Sequence, residues 1–266
     1  MSAVAPGDVP PGRDRTKPVT HDRWAHRRGE PRVLAFLWTL YLLGATLLGF
    51  AALGAVGGIS PDTYRPVARI ILITVVVGIV LMWPMVRLSQ ARPRRGGART
   101  ACGDFIVIVI PAQAVVWPQA FLPTAQWSVS TIVALSTLMC AWAVCMAGLL
   151  ALALGRGGRE SARRPPAHAW LWMLLVILVS ASGTVVALSG SESGEVNSVR
   201  TRWLASPMTG VYELMRDRPH TSRASRLSRD DWTIIAAPAA VGAVLWLLAA
   251  MRRPRDDVPT VRRDGV

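Results

Sequence analysis

The sequence predicts an all-α membrane protein, a polytopic bundle of about six transmembrane helices with a short amphipathic helix on the outer side. Three observations support this fold class. The chain has 266 residues, of which 52% are hydrophobic. The apolar residues form long blocks almost free of charge, and each block is long enough for a helix to cross a hydrocarbon core of ~30 Å. The charged residues, mostly arginine, lie between those blocks.

The blocks place six spans within a transmembrane domain at 33–251. Hydrocarbon offers no hydrogen-bond partner, so each block is predicted to be a helix even where Ile and Val are frequent. The third block is the least regular, because Pro111 and Pro118 each remove a backbone donor and Gln113 brings an amide into the span. We expect a kinked helix there. The predicted spans are 33–59, 70–86, 105–122, 127–154, 169–188 and 232–251.

The arginines predict that both termini lie in the cytoplasm. Basic residues are concentrated in 1–32, 87–99, 156–164 and 252–266, and cytoplasmic loops carry such an excess. Without the third span, the last two clusters would lie outside, so six spans are favoured over five. We expect a disordered basic N-terminal segment at 1–32, a basic tail at 252–266 and residence in the bacterial inner membrane.

The residue pattern argues against several functions. The net charge of +14 is spread along helix ends and forms no patch for nucleic acid, so no nucleic-acid partner is expected. Cys102, Cys140 and Cys145 form no CxxC pair, and no metal site, disulfide or cofactor is predicted. No Asp, Glu, Lys, Arg or His lies inside a predicted span, and the only lysine is Lys17, outside any phosphate loop. We therefore predict that the chain is not an enzyme.

A glycine motif marks a candidate helix-packing face on the first span. Gly54 and Gly58 have GxxxG spacing, and Ala45 and Gly49 extend the row of small residues. Small residues allow membrane helices to approach closely, including in homodimers. The alternative is that these are ordinary glycines of a membrane helix.

The outer loop at 190–231 is predicted to contain an amphipathic helix. Ser206 can cap it, and Pro207 suits its first turn. The helix is expected to lie in the interface, dip into the outer leaflet or pack over the bundle mouth. Ser228 and Asp231 resemble a capping box that opens the sixth span. The residues assigned to the outer helix and its approach are Trp203, Met208, Val211, Tyr212 and Met215.

This layout resembles the permease subunits of type-2 ATP-binding-cassette exporters. The resemblance covers 33–251 and rests on six spans with both ends inside, a basic segment before the first span and the outer stretch 206–215 (SPMTGVYELM). It implies a homodimer, a separate ATPase subunit on the cytoplasmic face, and helices that re-enter the outer leaflet between the last two spans. The segment 88–103 is rich in Gly and Arg, unlike the ATPase-coupling helix of that family.

Two functions remain open at this point, besides an intramembrane enzyme, which the lack of a polar cluster disfavours. The first is a permease-like transport subunit that moves a lipid-linked or amphipathic solute, with a cytoplasmic ATPase and a second copy of the chain as partners. The second is a non-catalytic membrane scaffold or assembly factor. In either case the lipid bilayer is the principal environment of the chain.

Overall fold

The computed structural model describes residues 31–56, 60–90, 96–121, 125–155, 166–189, 199–217 and 227–251. These residues form helices and contain no strand. Six of the helices are long and apolar enough to cross a membrane, which confirms the predicted all-α polytopic bundle. The helices are α1 Pro31–Val56, α2 Pro61–Ser89, α3 Gly97–Val116, α4 Val129–Leu154, α5 Pro166–Ser189, α6 Pro207–Leu214 and α7 Arg229–Met251.

We call the end of the bundle at which α2 begins the outer end, and the end at which it finishes the inner end. Several helices extend beyond the predicted spans: α1 begins at Pro31, α2 begins at Pro61, and α3 begins at Gly97 within the predicted 88–103 loop. The third span does not end at a simple kink. It tightens into a 3₁₀ turn, Trp117–Ala120, around the second of its two prolines. The segments predicted as a disordered N-terminus and a basic tail lie outside the described residues, except for the start of α1.

The starts of α2 and α4 carry side-chain capping groups. Ser60 and Thr63 form a reciprocal capping box at the start of α2. The Ser128 hydroxyl accepts the Thr131 N–H at the start of α4, with N···O 3.2 Å. Each side chain satisfies N–H groups that have no partner within the helix.

Helix α4 lies at the centre of the bundle. In its spanning window 78% of the residues are buried, against 17% in the windows of α5 and α7. It contacts α2, α3, α5, α6 and α7. Helices α5 and α7, at the periphery of the bundle, therefore present most of their apolar surface to lipid, as expected of a membrane bundle.

Glycine allows two helices of the bundle to cross in close contact. A Cβ at Gly148 of α4 would overlap the carbonyl of Gly242 on α7, and a Cβ at Gly242 would lie 2.5 Å from the carbonyl oxygen of Val144. The two backbones touch. In lipid the hydrophobic effect does not drive helices together, so van der Waals contacts of this kind stabilise the pair instead.

Side-chain hydrogen bonds to backbone carbonyls add to this packing. The Trp38 indole N–H donates to the carbonyl of Ile108 on α3 at 2.9 Å, and the Tyr41 hydroxyl donates to the carbonyl of Thr74 on α2 at 2.8 Å. Bonds of this kind between membrane helices contribute on the order of 1 kcal/mol each. They fix α1 against both of its neighbours.

Candidate functional site

The most unusual element of the bundle is the chain between α5 and α7. Residues 199–217, which we call the re-entrant segment, include a 3₁₀ turn, Thr201–Ala205, and α6. Pro207, the first residue of α6, lines a crevice with Val76 and Val80 of α2 and with Trp142 of α4. These partners lie near the middle of their helices, so the segment descends into the bundle and returns.

Its depth can be measured along α2. We call the level of Arg69, toward the outer end, the rim. The Arg69 guanidinium donates to the carbonyl of Met215 at 3.1 Å. Val76 and Val80, beside Pro207, lie seven and eleven residues further along α2, which is roughly 10–16 Å at the rise of a helix. The tip of the segment therefore reaches well below the outer end.

Two glycines make room for the descent. A Cβ at Gly183 of α5 would lie 2.8 Å from the carbonyl oxygen of Ala205 and 3.0 Å from Ser206. A Cβ at Gly210 of α6 would lie 2.9 Å from Leu138 of α4. The segment thus packs by direct backbone contact on α5 and against a core side chain of α4.

The segment also carries polar side chains into the bundle. Ser206 is fully buried, and its hydroxyl pairs with that of Thr184 on α5 at 2.8 Å, so its side chain does not cap α6 as the sequence predicted. Thr209 is 9% exposed, and its hydroxyl donates to the carbonyl of Trp203 at 2.7 Å. Buried hydroxyls of this kind are normally hydrogen-bonded, since burying a hydroxyl without a hydrogen-bond partner costs free energy.

Glu213 is the most demanding of these groups, because its side chain is fully buried. The carboxylate accepts the backbone N–H of Arg200 at 3.2 Å and lies 3.3 Å from the guanidinium of Arg216. Removing a carboxylate from water costs several kcal/mol unless charge and hydrogen bonds compensate it. Arg200 and Arg216 both belong to the re-entrant segment itself, so these contacts to Glu213 are made within the segment.

Ion pairs and hydrogen bonds fasten the segment at the rim. Arg69 pairs with Asp217, and Arg65 lies 3.6 Å from the same carboxylate. On the other side, the Thr201 hydroxyl donates to Asp231 of α7 at 3.0 Å. The segment is therefore held to α2 and α7 by polar contacts at the outer end, while its tip contacts mainly apolar side chains.

Asp231 also caps α7, as the sequence predicted. Its backbone N–H donates to the Ser228 hydroxyl at 3.1 Å, and its carboxylate accepts the Ser228 N–H at 2.8 Å. The same carboxylate therefore holds the first part of the re-entrant segment, at Thr201, to the start of the last span.

The structure places the residues assigned to the outer helix on two sides. Val211 and Met215 are buried, and Met208 is half-buried against the core. Trp203 and Tyr212 lie on the other side with ring centroids 6.2 Å apart, and Tyr212 is 47% exposed. The apolar side of α6 faces the bundle, while the two aromatic rings lie at its outer surface.

The structure does not bring Gly54, the described one of the two candidate packing glycines, against a neighbouring helix. No atom within 4 Å would meet a Cβ at Gly54, and Gly58 lies outside the described residues. Gly49, one element of the same row, packs on α2 instead, where a Cβ would lie 2.6 Å from Ile71. A dimer through Gly54 and Gly58 therefore stays a prediction.

At the inner end, the structure brings together a charged pair that was not predicted from the sequence. Arg87 of α2 and Asp104 of α3 form a two-pronged ion pair with both side chains 1% exposed, and Arg87 also donates to Gln90 at 2.7 Å. The predicted spans stopped at 86 and began again at 105, so both residues were placed in the loop. The sequence does contain a signal for this pair: an Arg directly follows one predicted span and an Asp directly precedes the next, on the same side of the membrane.

A smaller polar group lies between α3 and α4. The Ser136 hydroxyl donates to the amide oxygen of Gln113 at 2.6 Å, and the amide nitrogen of Gln113 lies 3.4 Å from the Cys140 sulfur. Gln113 is thus satisfied within the bundle. Within the described ranges, no group of three or more His, Cys, Asp or Glu residues is arranged to hold a metal ion.

Comparison of the chain with protein-family models, curated proteins and solved structures gave no match. Its class therefore rests on the features above. The chain is a multi-pass α-helical membrane protein, with a polar re-entrant segment set into the outer end of the bundle.

Proposed function

We propose that the chain is a permease-like transport subunit, and that the re-entrant segment closes its outer mouth. The supporting observation is the position of Pro207, which lies between the middles of α2 and α4 at the tip of a segment that carries buried polar side chains. A helix that served only as a structural cap could pack at the outer surface of the bundle and would not need to descend into it. A closure that admits an amphipathic solute needs both apolar and polar surface along the path.

The proposed solute is lipid-linked or otherwise amphipathic. The crevice beside Pro207 is lined only by apolar side chains and by the ring of Trp142, whereas Ser206, Thr209 and Glu213 lie along the segment above it. Once the segment opens, such a gradient from apolar to polar would suit a molecule with a hydrocarbon part and a polar head.

The energy source in this proposal is a separate cytoplasmic ATPase. The sequence has no phosphate-binding loop, since its only lysine is Lys17 near the N-terminus. As in the family that the layout resembles, a second copy of the chain would complete the translocation path. Gly54 remains the candidate contact for that copy, because the α1 surface around it is open.

Labelling of Thr209 tests this proposal. In a chain whose native cysteines are replaced, Thr209→Cys should react with an impermeant maleimide added outside energised cells, and at least tenfold more slowly after ATP depletion. Tyr212→Cys, at an exposed position, should react in both states, and Ala134→Cys, at a fully buried position of α4, in neither.

The scaffold function is the alternative that this experiment separates. If Thr209→Cys never reacts while Tyr212→Cys does, and if the purified protein carries no ATPase, the transport proposal is wrong. Stable association with another membrane complex, lost on deletion of this chain, would then favour a scaffold that uses the exposed faces of α1, α5 and α7.

A further inference from the structure

Helix α2 is not a uniform α-helix. Between two α-helical parts, Pro61–Val77 and Trp83–Ser89, it contains a π-helical turn, Gly78–Met82. The Trp83 N–H donates to the carbonyl of Gly78, five residues earlier, and Pro84 has no N–H to offer. A π turn is an α-helix with one extra residue, and such turns often lie where a helix has to deform.

The π turn lies beside the tip of the re-entrant segment. Ile79 and Val80 within the turn, together with Val76 just before it, line the crevice that Pro207 also lines. The residues from α2 that line it are apolar, so the tip meets α2 through apolar contacts, while its hydrogen bond, between Ser206 and Thr184, is made to α5. The π turn of α2 and the tip of the segment are therefore in apolar contact.

The two parts of α2 are anchored to different partners. The outer part is fastened to the re-entrant segment by Arg69, through Met215 and Asp217. The inner part is fastened to α3 by the buried pair of Arg87 and Asp104. A motion of the segment that preserves both sets of contacts must be taken up between them, and the π turn is the break in the α-helical hydrogen bonding of α2.

We propose that the π turn Gly78–Met82 is the hinge on which the outer part of α2 and the re-entrant segment move together, against an inner part held to α3. This inference rests on the proposed function, because it assumes that the segment opens. It adds the element that controls the opening. Trp38 and Tyr41 of α1 stack on each other and pack against Gly78, where a Cβ would lie 2.5 Å from Trp38. The hinge is therefore in direct contact with α1.

Deletion of Leu81 tests the hinge. Removing one residue should convert the π turn into an α turn and leave both flanking parts of α2 in register. We expect the shortened chain to fold, and its Thr209→Cys labelling rate in energised cells to fall at least tenfold. Leu81→Ala, which keeps the chain length, should label like the parent. Deletion of Ile73, in the regular part of α2, should turn all later residues by about 100° and prevent folding.

The outcomes separate the two proposals. Equal labelling of the parent and the Leu81 deletion would overturn the hinge while leaving the transport proposal standing. No labelling of Thr209→Cys in any chain, with Tyr212→Cys labelled and no ATPase carried by the purified protein, would overturn both. If the Leu81 deletion fails to fold, Pro84→Ala replaces it: the restored N–H should favour a regular helix and slow labelling severalfold, and an unchanged rate would overturn the hinge.

Discussion

Asp104 and Arg87 form the ion pair that the described bundle buries most completely, with both side chains 1% exposed. A buried pair of this kind is sensitive to the loss of one partner, because the remaining charge has no compensation. We expect Asp104→Asn to destabilise the protein by about 3–5 kcal/mol. The double variant Arg87→Gln/Asp104→Asn should recover most of that loss, since no charge is left buried.

Thermal unfolding in detergent, followed by the loss of monodisperse protein, measures this effect. Arg229→Gln is a suitable control, because it removes an arginine from an exposed position at the start of α7. If the single variant Asp104→Asn melts with the parent, the pair does not fasten α2 to α3. The hinge proposal would then lose its inner anchor.

The glycines illustrate which residue-scale contacts a sequence can indicate. Gly54 and Gly58 were selected because four-residue spacing places two small residues on one helix face. The structure instead brings together Gly148 and Gly242, which lie on separate helices, and neither of them has another glycine four residues away. A contact between distant helices depends on how the bundle assembles, and that information is not contained in the spacing along either helix.

At the scale of elements, the apolar blocks predicted the six long helices well, because the signal for each one is local. The same holds for the capping box at Ser228 and for α6 itself. The sequence leaves three alternatives for where α6 lies, because its position depends on Gly183 and Gly210, which allow close approach to α5 and α4. The π turn was not predicted, although Pro84 at its end was a visible local cause.

A disulfide across α5 and the re-entrant segment tests the depth of that segment. The hydroxyls of Thr184 and Ser206 are 2.8 Å apart, close to the geometry of a disulfide, whose sulfurs are ~2.05 Å apart. In a chain without native cysteines, Thr184→Cys/Ser206→Cys should form an intramolecular disulfide in nearly all molecules under mild oxidation. Peptide mapping by mass spectrometry measures the yield.

Thr184→Cys/Tyr212→Cys provides the matched control, because Tyr212 lies on the exposed side of α6. Its yield should be low under the same oxidation. Equal and low yields from both pairs would indicate that the segment lies at the membrane surface and does not descend beside α5. The closure proposed for the outer mouth would then have no basis.

For the whole molecule, the orientation follows from one physical asymmetry, the arginine excess in alternate loops. Most of those arginines lie outside the described residues, so the prediction of cytoplasmic termini rests on sequence. The six helices of the bundle require an even number of crossings, which places both termini on one side. A C-terminal alkaline phosphatase should therefore be inactive in a bacterial host, whereas a C-terminal green fluorescent protein should fluoresce.

The same pair of tags after Leu188, near the outer end of α5, should give the opposite result, with an active phosphatase and no fluorescence. This truncation retains five spans and ends on the predicted outer side. High phosphatase activity at the full-length C-terminus would reverse the orientation. The re-entrant segment would then face the cytoplasm, and a closure of the outer mouth by α6 would be impossible whatever the packing of its tip.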